Sequence, residues 1–161
     1  MSREYRQWVV EYQDQAWTLA RYILKDASEA EDATQEAFVK LWNNRNAIDR
    51  DRIKPWLMRV TRNHCLDRLR RRRPEQEFVE YQCVDNDGPL RGAEQSELGA
   101  FLKSAIAALK EPYRTLVVLR DVQQHSYEEV AGVTELSLSQ VKVYLHRARK
   151  QLREQLAEVR P

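Results

Sequence analysis

The sequence predicts an all-α protein built as two small helical units on a flexible linker. Three observations lead there. Helical periodicity runs through most of the chain, and no alternating apolar run is bounded by turn residues, so no sheet is expected. All four tryptophans, Trp8, Trp17, Trp42 and Trp56, fall in the first 56 residues and mark an N-terminal core of their own. An acidic stretch with an Asp-Asn-Asp-Gly-Pro segment, Glu75–Gly92, then separates this unit from a second run of helical pattern. A chain of 161 residues suits one domain or two small ones. The boundaries read from the pattern are 1–74, 75–93 and 94–161.

Each element has a local reason. A first helix over Tyr5–Leu24 turns Trp17, Ala20, Ile23 and Leu24 inward. Asp26–Ser28 interrupts it, and Ser28 with Glu31 has the spacing of a capping box for a second helix. That helix carries the stripe Ala30, Ala33, Ala37, Phe38, Leu41 and Trp42. Asn43–Lys54 is polar and turn-like, and Pro55 suits the first turn of a third helix running to about Arg73, where Pro74 stops it. Helical pattern resumes at Glu94 with Leu98, Phe101, Leu102, Ala105, Ile106 and Leu109. Lys110-Glu111-Pro112 breaks it, and a further helix covers Tyr113–Gln124.

The last third is the most informative stretch. Ser126 and Glu129 form a capping box, Thr134–Ser137 supplies a short turn, and Val141, Leu145, Ala148 and Leu152 recur as one apolar stripe. Lys142, His146, Arg149 and Arg153 run along another face, widened by Arg147 and Lys150. Lys142–Arg153 holds five cationic residues and no acidic one. A helix-turn-helix with a cationic outer face suits a DNA major groove. The competing explanation is a solvated basic helix on a helical bundle.

The net charge of +2 conceals strong segregation. Arg59–Arg73 has seven arginines against Asp67, and Glu75–Glu97 has seven acidic residues against Arg91. Projected as a helix, Trp56, Leu57, Val60, Thr61 and His64 should face the core. Arg59, Arg62, Asn63, Leu66, Arg70 and Arg73 fall opposite. That arc offers guanidinium groups for phosphates and an amide for a base edge. On the second helix Asp32, Gln35 and Glu36 lie away from the apolar stripe. Glu36 with Lys40 could be an ordinary i, i+4 pair, or the face could dock a basic partner.

Several classes drop out. The four glycines, at 88, 92, 99 and 132, make no phosphate-binding loop. No histidine pair has metal-ligand spacing and no serine sits in a nucleophile elbow, so no catalytic activity, metal or cofactor is expected. Cys65 and Cys83 lie in different segments and suggest no disulfide framework. No apolar run approaches the roughly 20 residues needed to span a bilayer, and the N-terminus lacks the apolar core of a secretory leader. The expected location is the cytoplasm, without membrane insertion.

Asp32–Trp42 (DATQEAFVKLW) resembles region 2.2 of bacterial sigma factors of the extracytoplasmic-function (ECF) group of the sigma-70 family. Trp56–Arg71 is similar to their regions 2.3–2.4, and Leu109–Asp121, Tyr127–Ala131 and Val141–Arg149 to region 4. The resemblance covers essentially the whole chain, in order. It implies a σ2 domain and a σ4 domain that bind core RNA polymerase and direct initiation at −10 and −35 promoter elements. Asp32, Gln35 and Glu36 would dock on the polymerase. Arg59, Arg62, Asn63 and Arg70, with the loop Asn44–Lys54 before them, would read and help melt the −10 element. Asn63 would help hold a flipped base. Arg120, Ser139, Lys142, His146 and Arg147 would read the −35 element. The acidic linker would run through the polymerase.

Two departures bear on specificity and control. The recognition helix reads Gln140-Val-Lys-Val-Tyr144 where the group has a hydroxyl and an arginine at the last two of these positions. The −35 preference is therefore expected to differ from the common one. No sensor extension is expected after σ4, so control is expected from outside, by an anti-sigma factor. Two other readings remain open. One is a stand-alone helix-turn-helix regulator that binds duplex DNA without polymerase. The other is a sigma-like decoy for an anti-sigma factor. The face Asp32/Gln35/Glu36 argues against the first and the arginine-rich third helix against the second.

Overall fold

In a computed structural model, residues 2–72 and 97–159 are described; the acidic segment 75–93, Arg73 and Pro74 lie outside them. The described residues form α1 (Arg3–Leu24), α2 (Ala27–Asn44), a 3-10 turn (Arg50–Arg52), α3 (Ile53–Arg71), α4 (Glu97–Ala108), α5 (Tyr113–Val117), α6 (Tyr127–Thr134) and α7 (Leu138–Val159), with no strand. None of the described helices is long and apolar enough to cross a membrane.

α1, α2 and α3 pack on one another. Their shared core is Ala16, Leu19, Ala20, Ile23, Leu24, Ala30, Ala33, Ala37, Leu41, Ile53, Leu57 and Met58. The alanines matter as much as the large residues, because they let the backbones of α1 and α2 approach. The α2 start differs from expectation. Asp26, not Ser28, caps it, accepting from the Glu29 N–H at 2.8 Å. Both residues are good caps; the earlier one gains two more residues of helix. The polar stretch after α2 is tied down by Arg45, whose guanidinium lies 3.6 Å from the centre of the Trp42 ring and donates to the Trp42 carbonyl at 2.6 Å.

α4 to α7 form the second unit, with α5 and α4 packed on α7 and α6 crossing it. Leu116, Val117, Val118, Leu119, Val130, Val133, Val141, Leu145, Ala148 and Leu152 are its core, so the expected α7 stripe is buried in full. The helix expected over Tyr113–Gln124 widens instead. Residues 118–122 make a π turn, closed by Gln123 N–H to the Val118 carbonyl at 2.9 Å. α4 also departs from its pattern. Leu98 and Phe101 are 54% and 43% exposed, while Ile106 and Ala107, and Leu109 just after the helix, are buried in the core and Leu102 and Ala105 pack against it.

The two units touch. α3 packs on α6, and α1 meets α5 and the π turn. Arg114 Nη1 donates to the Tyr22 carbonyl at 3.3 Å and Gln123 Nε2 to the Gln15 carbonyl at 2.8 Å. This contact rotates the burial of α3 away from the expected arc. Leu57, Met58, Thr61 and Cys65 are fully buried, while Trp56, Val60 and His64 are half-buried. Ile53, Leu57, Thr61 and Cys65 recur every four residues, so one stripe is buried, turned from the projected one.

Candidate nucleic-acid and polymerase interfaces

The helix-turn-helix is held by two reciprocal caps in series. Ser126 Oγ accepts from the Glu129 N–H at 3.1 Å while Glu129 Oε1 accepts from the Ser126 N–H at 3.2 Å. α6 ends at Glu135, whose φ of 60° reverses the chain. Ser137 and Gln140 then repeat the cap, with Gln140 N–H to Ser137 Oγ at 3.1 Å and Ser137 N–H to Gln140 Oε1 at 2.9 Å. This second box is written in the sequence as S-x-x-Q, and its Ser137 closes the stretch expected to be a plain turn.

With Val141, Leu145 and Ala148 buried, α7 presents Ser139, Gln140, Lys142, Val143, His146, Arg147 and Lys150 outward. Four of the five residues expected to read the −35 element thus share one outward face. Arg120 does not join it freely. It is half-buried, donates Nη1 to the His125 carbonyl at 2.8 Å and stacks over the Tyr127 ring at 4.4 Å. Arg149 leaves the basic face as well, pairing with both oxygens of Asp121 at 2.6 and 3.1 Å. Tyr144 is half-buried, edge-on to Tyr113 with ring centres 5.8 Å apart. Its ring packs within the fold, with the Arg147 guanidinium 5.8 Å from the ring centre.

On α3, Arg70 is exposed, and Arg59, Arg62 and Asn63 are half-buried. Arg62 Nη1 donates to Asn63 Oδ1 at 3.2 Å, so these neighbours hold each other. The arc was expected to face solvent; α6 covers part of it. Arg59 and Trp56 line a cleft of about 630 Å³ with Asp49, Asp51, Glu128 and Glu129.

On α2, Asp32, Gln35 and Glu36 are all exposed on one face. Asp32 is bridged by Arg68 at 3.8 Å. Val39, 55% exposed, extends this face by one turn; the sequence reading missed it, although it stands seven residues after Asp32. Val39 also borders an apolar groove between α1 and α2, lined by Val9, Val10, Trp17 and Phe38. Among the described residues no cluster of His, Cys, Asp and Glu could hold a metal ion.

Comparison with known proteins defines the class. Sigma-70 region 2 matches residues 8–75, and Sigma-70 region 4 matches residues 102–152. The chain belongs to the sigma-70 family, whose members are not enzymes. Within it the chain falls among the ECF RNA polymerase sigma factors. It is 34% identical to the ECF RNA polymerase sigma factor SigE of Mycolicibacterium smegmatis over 93% of the chain, and spans 60% of that relative's length. It is 29% identical to SigW of Bacillus subtilis, covering 92% of this chain and 86% of SigW. It is 31% identical to the RNA polymerase sigma-H factor of Pseudomonas aeruginosa, covering 88% of this chain and 80% of that one. Among solved structures, RpoE of Bartonella quintana, in complex with the anti-sigma factor NepR, has the same fold. Its TM-score is 0.79 at 22% identity, over 99% of this chain and all of that one. CnrH, solved with the cytosolic domain of CnrY, gives 0.71 at 24% identity, over 96% of this chain and 88% of that one.

Proposed function

We propose that this chain binds core RNA polymerase and directs it to promoters through three separate faces. α2 docks on polymerase with Asp32, Gln35 and Glu36, and Val39 adds apolar contact at the end of that patch. α3 and the loop before it engage the −10 element with Arg59, Arg62, Asn63 and Arg70. α7 enters the −35 major groove with Ser139, Lys142, His146 and Arg147, and Arg120 acts from below by holding the His125 carbonyl at the start of α6. The units are 1–74 and 94–161, joined by the acidic segment 75–93. The chain acts in the cytoplasm, with an anti-sigma factor as its inhibitory partner, in keeping with the complex of RpoE with the anti-sigma factor NepR.

The observation that carries this reading is the division of α7 into a fully buried stripe and an exposed cationic face without a carboxylate from Leu138 to Arg153. Such a face, free of acidic partners, attracts phosphate and presents donors to base edges. The test is co-elution with bacterial core RNA polymerase on size exclusion, with Glu36→Lys beside the native chain. Co-elution of the native chain, abolished in the variant, is expected. Absence of co-elution with retained duplex binding would instead indicate a stand-alone regulator.

A further inference from the structure

The cations of α7 that the proposed function gives to the −35 element are held without being neutralised. Arg147 is exposed, and no carboxylate lies between Leu138 and Arg153 to pair with it. Among the described residues it makes no ion pair and no hydrogen bond; its neighbour is the Tyr144 ring, with the guanidinium carbon 5.8 Å from the ring centre. The two stand at i and i+3 and so share a face of the helix. The Tyr144 ring is itself fixed, half-buried and edge-on to Tyr113 of α5 with an interplanar angle of 77°. Lys142 is placed in the same way, its Nζ 5.9 Å from the centre of the Tyr127 ring. Arg149 is the contrast, because its bidentate pair with Asp121 spends both its donors and its charge.

We propose that Tyr144 is a positioning residue for −35 recognition, its ring holding Arg147 in reading position before DNA arrives. A ring face attracts a cation through its quadrupole without neutralising it, which leaves the fork of N–H donors for a base edge. An arginine with no such support must be ordered on binding, and ordering one long side chain costs about two- to tenfold in affinity. Tyr144 stands where the group has an arginine, so this chain exchanges a second cation for a stage under the first. The inference rests on the proposed function for α7 as the −35 reader.

The test is promoter selection by core RNA polymerase carrying the full chain, from a library randomised in the −35 region. Arg147→Ala identifies the base that Arg147 reads. Tyr144→Leu and Tyr144→Met remove the ring and keep apolar bulk, the second guarding against a first that does not fold; Tyr144→Phe keeps the ring. At that base both ringless variants should weaken discrimination about two- to tenfold, and Tyr144→Phe should keep the native level. On an Arg147→Ala background Tyr144→Leu should add nothing. A loss of stability alone lowers use of every promoter and leaves their ratios unchanged, so ratios are scored, with helical circular dichroism beside them. Ringless variants with native discrimination, a Tyr144→Phe variant as weak as Tyr144→Leu, or a Tyr144→Leu effect that persists without Arg147 would each overturn the inference. An Arg147→Ala variant with every −35 preference unchanged would sink the proposed role of α7 and the inference with it. A preference that shifts with Arg147→Ala and not with the ringless variants overturns the inference alone.

Discussion

Two buried side chains give the residue scale its sharpest expectations. Cys65 is fully buried in α3, and burial pushes its thiol up to about 12. The thiolate, the reactive form, is nearly absent at neutral pH. Iodoacetamide at pH 8 should therefore leave Cys65 unmodified in the native chain and alkylate it only in denaturant. Peptide mass spectrometry reads the difference, and native labelling of Cys65 would contradict its burial. His125, also fully buried, has its pKa lowered by burial and by Lys54, against the opposing pull of Glu129. The unfolded chain thus takes up this proton more readily than the native one. Its contribution to stability is complete above the ordinary value of 6.5 and is lost as pH falls below it. The urea midpoint should drop between pH 7.5 and 5.5, a window above the usual carboxylate range. His125→Gln should flatten that drop; an equally steep variant would move the effect to other groups.

At the scale of elements, the caps and the stripe carry the helix-turn-helix. Ser126→Ala should destabilise the second unit by about 1 kcal/mol, since it strips the acceptor from the Glu129 N–H. Leu145→Ala, at the centre of the buried stripe, should cost about 2–5 kcal/mol, enough to unfold a marginal unit. Denaturant titration of helical signal measures both, and an unchanged midpoint for Leu145→Ala would mean that the stripe is not a core. These elements are the most legible in sequence. The α7 stripe and the Ser126 box follow from local periodicity and a local hydrogen bond. Legibility fails where the outcome depends on something non-local or on a choice between equals. Asp26 competes with Ser28 as a cap, and both satisfy the same rule. The inner arc of α3 differs from its projection because α6 covers a second side, which α3 alone does not reveal. Arg149 reads as one more free cation, but its partner Asp121 stands 28 residues earlier. Leu98 and Phe101 follow the helical period yet face outward.

For the whole molecule, the proposed faces make separable demands. Asn63→Ala should weaken open-complex formation while core polymerase still binds; permanganate footprinting of the melted region measures the first and co-elution the second. Loss of polymerase binding would remove Asn63 from its assigned role. Lys142→Ala with Arg147→Ala should weaken use of the −35 element, by about 1–3 kcal/mol for each bidentate pairing with a base that the change abolishes. Selection from a randomised −35 region by the holoenzyme would detect it, and an unchanged preference would place the reading face elsewhere. The frame that aims this face is made of other residues. Ser126, Glu129, Ser137 and Gln140 set where α6 and α7 begin, Asp121 holds Arg149, and the buried stripe fixes the rotation of α7. Apart from Gln140, none of these lies on the outward arc. The lettering on α7 can therefore be rewritten without recasting the type block behind it. A lineage could move such a protein from one set of genes to another by point changes at 139, 142, 143, 146 and 147, with the stability of the fold left almost untouched.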